Sequence, residues 1–305
     1  MNTSLRPDLS DGPHAPELQV QHRSATADVE PGLLEGLTVL SGPPAAEPMG
    51  FFTDTSLCIG CKACEVACKQ WNALPADGMR WSGQSYDNTL CLSETTWRHV
   101  AFVEEATGNG PAPNGHPVRW LFNSDVCKHC TAAPCQESCP TGALVYNEFQ
   151  NVYLQQDVCN GCGYCVSACP FGVLGRSETD GKAHKCTLCY DRQRDGLEPA
   201  CAKSCPTDSI QFGPVSELRA HARRRVEELR ARGERRAYLY GADDAREYKR
   251  LNAFFLLTEE AAAYNLPPAP RRPSAHMGQR YLWSAVVGIG LSVLSAMAMH
   301  AGGRS

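Results

Sequence analysis

Four cysteines spaced by two, two and three residues, Cys159, Cys162, Cys165 and Cys169, close on Pro170 and constrain this chain more than any other stretch. Three thiolates at three-residue intervals on a tight loop converge on three corners of an iron-sulfur cubane, while the fourth is carried onto a helix and reaches a neighbouring cluster. Gly161 and Gly163 supply positive-φ turns beside the ligands, and Pro170 stiffens the exit.

The design recurs. Cys58, Cys61, Cys64 and Cys68 repeat the same spacing, with Lys69 in place of the proline. Cys127, Cys130, Cys135 and Cys139 end on Pro140, and Cys186, Cys189, Cys201 and Cys205 end on Pro206. Sixteen of the seventeen cysteines thus fall into four sets of four, the number needed for four [4Fe-4S] clusters. Disulfides fit poorly, because disulfide scaffolds are short and secreted and Met1–Asp8 contains no apolar segment of signal-peptide type. Zinc fits poorly too, since four closely spaced cysteines, repeated, overfill tetrahedral sites. Cys91 has no neighbour and reads as a free thiol. A net charge of −4 argues against nucleic acid as a partner.

Residues 1–48 are rich in Pro, Gly, Ala and Glu and read as a disordered arm, within which Leu33, Leu34, Leu37, Val39 and Leu40 offer a small apolar face for docking. Residues 49–213 form the cluster domain. Phe51 and Phe52 open a strand into the first motif, and residues 75–124 are an insertion whose segments 97–103 and 118–122 predict a β-hairpin. Residues 144–154 read as strand, turn and strand, with the turn at Asn147–Asn151, and Ile210–Gly213 begins the same theme after the last motif. Each motif therefore passes from a loop through a short helix to a strand. Two such units make one ferredoxin-like module, so the fold expected is α+β, with two nested ferredoxin-like 2[4Fe-4S] modules.

Residues 214–280 read as helix and linker. Leu218, Ala222, Val226 and Leu229 form one stripe of a helix over 215–232 that Gly233 caps, and Leu251–Leu257 is a further buried strand. The run Arg223–Arg225 reads as a solvated face paired with Glu227 and Glu228 rather than a nucleic-acid patch. Residues 281–301 form a single C-terminal transmembrane helix. The stretch from Tyr281 to His300 carries no charged side chain, and twenty residues span about 30 Å, enough to cross a membrane. Ser284, Gly288 and Ser292 make a small-residue face suited to helix packing, and His300 reads as interfacial rather than as a haem ligand.

These motifs, with Cys186–Arg192, Glu198–Cys201, Trp71-Asn72 and the helix ending at Gly233, resemble the iron-sulfur (beta) subunit of membrane-associated formate dehydrogenases, one of the four-cluster electron-transfer subunits of molybdopterin oxidoreductases. The resemblance covers about residues 50–300; the long N-terminal arm and the very short tail after the helix depart from it. Spacing alone leaves the pairing of motifs open. The resemblance implies nesting: Cys58, Cys61 and Cys64 with Cys205; Cys186, Cys189 and Cys201 with Cys68; Cys127, Cys130 and Cys135 with Cys169; and Cys159, Cys162 and Cys165 with Cys139.

It further implies a non-catalytic subunit that takes electrons from a molybdenum or tungsten bis-pterin catalytic alpha subunit oxidising formate. These pass to an integral membrane gamma subunit of cytochrome b or quinone-binding type. The pair of motifs one and four is expected to face the catalytic partner, and the pair two and three the membrane. The alternative is the same subunit in a polysulfide or sulfoxide reductase or hydrogenase complex, with reversed flow in the reductases. Lys62, Lys128 and Lys185 beside the ligands are expected to raise cluster potentials, against a reading as exposed loop lysines. Arg271, Arg272 and Arg280 against Arg304 favour clusters on the cytoplasmic side. The resemblance favours the outer face, and the outer face is the expectation adopted.

Overall fold

The computed structural model describes residues 47–78, 81–106, 118–243, 248, 250–275 and 277–302. The expected arm, apart from Glu47 and Pro48, and the hairpin tip at 107–117 lie outside them.

In chain order the elements are β1 (Met49–Asp54), α1 (Ala63–Trp71), β2 (Arg98–Ala106), β3 (Val118–Val126), α2 (Pro134–Glu137), β4 (Leu144–Tyr146), β5 (Val152–Leu154), α3 (Tyr164–Ala168), β6 (Gly175–Arg176), β7 (Ala183–His184), α4 (Tyr190–Arg194), α5 (Ala200–Lys203), β8 (Ile210–Pro214), α6 (Val215–Ala231), β9 (Tyr238–Tyr240), β10 (Ala253–Leu257) and α7 (Met277–Gly302). A 3-10 turn covers Ala261–Tyr264.

The strands flanking the motifs hold the chain in two modules. β1, which enters the first motif, pairs antiparallel with β8, which leaves the fourth. β4, which leaves the second, pairs antiparallel with β5, which enters the third. Helix α1 lies against α5 and α2 against α3, so each module joins two motifs back to back.

β10 converts the first pair into a four-stranded sheet of order β8-β1-β10-β9, running parallel to β1 with Phe51 opposite Ala253. Every β10 residue is buried because both faces of the strand are covered. Phe254 and Leu256 pack with Phe52 and the α6 stripe Leu218, Ala222, Val226 and Leu229, whereas Phe255 and Leu257 face Leu121, Tyr264 and Leu266.

Helix α6 ends as its sequence requires. Gly233 takes φ of +101°, its N–H donates to Arg230, and that of Glu234 to Leu229, which satisfies the last-turn carbonyls. Its arginines differ from the expectation: Arg223 pairs with Asp243, and Arg225 with buried Asp54 and with Glu228. The polar face is ion-paired, but mainly to neighbouring elements rather than along the helix.

The insertion forms the expected hairpin, with β2 and β3 paired from Arg98–Val126 to Ala106–Val118. Lys69, where the other motifs carry proline, explains how the insertion is held. Its Nζ donates to Asp77 at 2.9 Å, to the Pro75 and Thr95 carbonyls at 3.1 and 2.9 Å, and to the Thr96 hydroxyl at 3.0 Å.

Helix α7 starts at Met277, earlier than expected, so Arg280 lies within its first turn. Its described side chains are exposed along its length, and Met277–Met299 is long and apolar enough to cross a membrane. The preceding linker is docked: Tyr240 Oη donates to the Pro267 carbonyl at 2.7 Å, and Arg272 pairs with Glu137 at 2.7 Å.

Candidate metal centres

None of the seventeen cysteines is paired in a disulfide. The sixteen motif cysteines gather into four groups. Group A is Cys58, Cys61, Cys64 and Cys205, which line one pocket with Ile59, Lys62, Val100, Ser124 and Ile210. Group C is Cys127, Cys130, Cys135 and Cys169, around a second pocket whose other walls are mostly apolar, Ala133, Pro134, Val152, Phe171, Val173 and Leu174. In group B, burial and the charges of Cys186, Cys201 and Cys189 push the Cys68 thiol far above its usual range. In group D, burial and then Cys139, Cys159 and Cys162 push Cys165 up to about 11. Each group joins three cysteines of one motif to the last cysteine of its module partner.

The donors fit a cluster better than a lone ion. Among the described residues no three His, Cys, Asp or Glu side chains converge on a single-ion site. The thiols instead ring cavities. Burial pushes Cys64 and Cys186 up to about 12 and Cys130 well above its normal value, so binding must supply charge that displaces these protons.

One local geometry builds all four groups. The residue preceding the second cysteine of every motif is left-handed: Gly60 (+67°), His129 (+43°), Gly161 (+73°) and Leu188 (+58°). That turn aims an amide at sulfur, as Leu188 N–H donates to Cys186 Sγ at 3.3 Å and the Gly60 amide bonds Cys58. Glycine is essential where space is short, and a Cβ on Gly161 would lie 2.1 Å from the Gly181 carbonyl oxygen. The Cys-Pro-Thr runs at 139–141 and 205–207 repeat a second device, with the Thr hydroxyl 3.6 and 3.8 Å from the cysteine sulfur. At Cys139 burial acts upward, but Thr141 and the amides of Leu144 and Ala143 outweigh it and hold the thiol below its usual value.

The groups are contiguous in the order A, B, C, D. The charge of Cys201 in B acts on Cys64 in A, that of Cys127 in C on Cys186 in B, and that of Cys165 in D on Cys135 in C. Groups B and C are internal, whereas Cys61 in A and Cys162 in D are exposed. Cys91 is exposed as well and belongs to no group.

Cationic side chains fill the spaces between groups. Lys128 and Lys185 are 1% and 2% exposed, unlike loop lysines; Lys62 is only partly covered. Lys128 pairs with Asp125 and sits 5.4 and 5.0 Å from the Phe171 and Phe255 ring centres, while Lys185 donates to the Val152 and Cys186 carbonyls at 2.5 and 2.7 Å. His129 is fully buried, and neither ring nitrogen has a hydrogen-bond partner among the described residues. Burial, then Lys185, Arg98 and Lys128, hold it well below its usual value, hence neutral. Sequence reasoning did not find Arg98 or Ser124. They lie in the insertion, which carries no ligand, and only the hairpin fold brings them to groups A and B. The paired Cys-Pro-Thr runs were legible.

A 4Fe-4S dicluster domain family matches residues 118–215, and a 4Fe-4S binding domain family matches residues 55–71. The formate dehydrogenase iron-sulfur subunit of Haemophilus influenzae is 40% identical over 188 residues, 61% of this chain and 58% of that protein. The iron-sulfur subunit of the nitrate-inducible formate dehydrogenase of Escherichia coli is 40% identical over 191 residues, 62% of each protein. The B subunit of the E. coli anaerobic dimethyl sulfoxide reductase is 38% identical over 173 residues, 56% of this chain and 75% of that protein. The matched region thus spans about three fifths of the length of the formate dehydrogenase relatives.

Proposed function

Because this protein belongs to the 4Fe-4S iron-sulfur subunit family of these oxidoreductases, we propose that it is the electron-carrying subunit of a membrane-bound formate dehydrogenase. In this reading groups A, B, C and D each hold one [4Fe-4S] cluster, on the crossed cysteine sets described above. When bound, each cluster supplies a one-electron carrier. The chain's own residues hold it, exclude water and set its potential. Thiolates ligate, amides and Thr hydroxyls donate to sulfur, and apolar walls such as Val173 and Leu174 keep water away.

The observation that carries this reading is the file of four cysteine groups running from exposed Cys61 to exposed Cys162 with no gap. Electrons enter at A from a molybdenum or tungsten bis-pterin subunit that oxidises formate. They leave at D for an integral membrane subunit of cytochrome b or quinone-reactive type. The exit is assigned to D because the linker before α7 is tied to Glu137, between Cys135 and Cys139. The cluster domain spans 49–213 with the insertion at 75–124, followed by helix and linker to 280 and an anchor at 281–301. It lies on the outer face of the membrane.

Isolation of the complex from membranes tests the assignment. The chain should co-purify with a pterin subunit, and formate should bleach the iron-sulfur absorbance. A second reading, electron flow toward a reductase catalytic subunit, draws support from the 75% coverage of the dimethyl sulfoxide reductase subunit. A partner that reduces a sulfoxide and leaves formate untouched establishes that reading and removes the first.

A further inference from the structure

Arg98, at the start of β2, is 1% exposed, and its guanidinium lies between groups A and B. Nη2 donates to Cys201 Sγ of group B at 3.2 Å. Nη1 donates to the Ser124 carbonyl at 3.1 Å and to its hydroxyl at 3.3 Å, and that hydroxyl is 3.3 Å from Cys64 Sγ of group A. The Phe51 ring packs against it at 4.8 Å. Arg98 forms no ion pair with a carboxylate among the described residues; the opposite charges acting on it are those of Cys201, Cys64 and Cys186. Nε has no hydrogen-bond partner there either.

A guanidinium is permanently charged, and burying it without a counter-charge is strongly unfavourable. Among the described residues, the cysteines of groups A and B offer that counter-charge. We infer that Arg98 is a shared counter-charge for the first two clusters of the file, holding both at higher reduction potential than the same ligands would give alone. The inference rests on the cluster reading above. Reduction adds negative charge on either side of Arg98, and a fixed positive charge between the two groups favours it at both. The link to A runs through Ser124, so one residue of the insertion couples two groups that the motifs alone would leave independent. Arg98 is a positioning and tuning residue, not a catalytic one.

The test is an EPR-monitored redox titration of the full chain, with the A and B signals assigned by Cys58→Ser and Cys186→Ser. In Arg98→Gln both potentials should fall, each by about a tenfold change in the reduction equilibrium, about 59 mV for one electron. Those of C and D should stay, and Arg98→Lys should recover most of the shift. Loss of A and B together in Arg98→Gln, with their return in Arg98→Lys, also supports a shared charge. Unchanged potentials, a shift spread over all four clusters, or a loss of A and B that Arg98→Lys does not repair would overturn it. Absence of iron from the unsubstituted chain would instead remove the cluster reading itself.

Discussion

Arg272 Nη1 meets Glu137 Oε1 at 2.7 Å, and Ser274 donates to the other carboxylate oxygen. Glu137 ends the short helix α2, which carries Cys135 of group C and leads to Cys139 of group D. The segment entering α7 is therefore fastened to the module that carries groups C and D. A pair this exposed, 24% and 33%, contributes about 0.2–1 kcal/mol. Its contribution to stability is therefore small.

Glu137→Ala should leave iron content and melting temperature nearly unchanged. It should slow electron delivery to the membrane partner in the assembled complex, measured as the rate of quinone or haem reduction after formate addition. An unchanged rate would mean that partner contacts alone set the orientation.

Two neighbouring glycines should respond differently to alanine. Gly163 has φ of +78° but nothing within 4 Å of an added Cβ, and Lys62 occupies the equivalent position of the first motif at +60°. Gly163→Ala should cost about 1–2 kcal/mol. Gly161→Ala adds a collision with the Gly181 carbonyl, and should lose the group D cluster, read as a quarter of the iron.

Cys169 follows the third motif in sequence but lines the cavity of Cys127, Cys130 and Cys135. Cys169→Ala should remove the group C signal first in EPR spectra. Loss of the Cys159, Cys162 and Cys165 signal with its neighbour intact would contradict the crossed sets.

The elements legible in the sequence are those specified locally. The α6 stripe and Gly233, the β4–β5 turn and the apolar run of α7 each follow from residues within one element. The parallel pairing of β1 with β10 was not legible, because Phe51 and Ala253 meet across some two hundred residues and each strand reads only as buried. The surroundings of the groups were equally opaque. Lys128 and Lys185 look like loop lysines until the fold covers them, and Arg98 looks like an ordinary strand residue until β2 brings it to Cys201. The cysteine spacing names the ligands; the charges between groups arise from contacts distant in sequence.

Acid should release the insertion. Burial acts upward on Asp77, but the bonds from Lys69, Thr96 and Thr89 outweigh it and hold the carboxyl below its usual 3.8. A depressed folded value means that this contribution is complete above about pH 4 and is lost as pH falls through the folded value. Proteolysis of the segment around 75–97 should rise below pH 4, and Asp77→Asn should raise it already at neutral pH and flatten the pH dependence. Equal cleavage of both proteins at neutral pH would contradict the Lys69–Asp77 tether.

Iron and sulfide analysis of the anaerobically purified full chain, with EPR of the reduced protein, decides whether groups A to D hold a continuous file of four [4Fe-4S] clusters. The expected result is a brown protein with about sixteen irons and about sixteen sulfides per chain, its reduced spectrum broadened by magnetic coupling between neighbours. A colourless protein with about four zincs per chain, or four uncoupled signals, would contradict it.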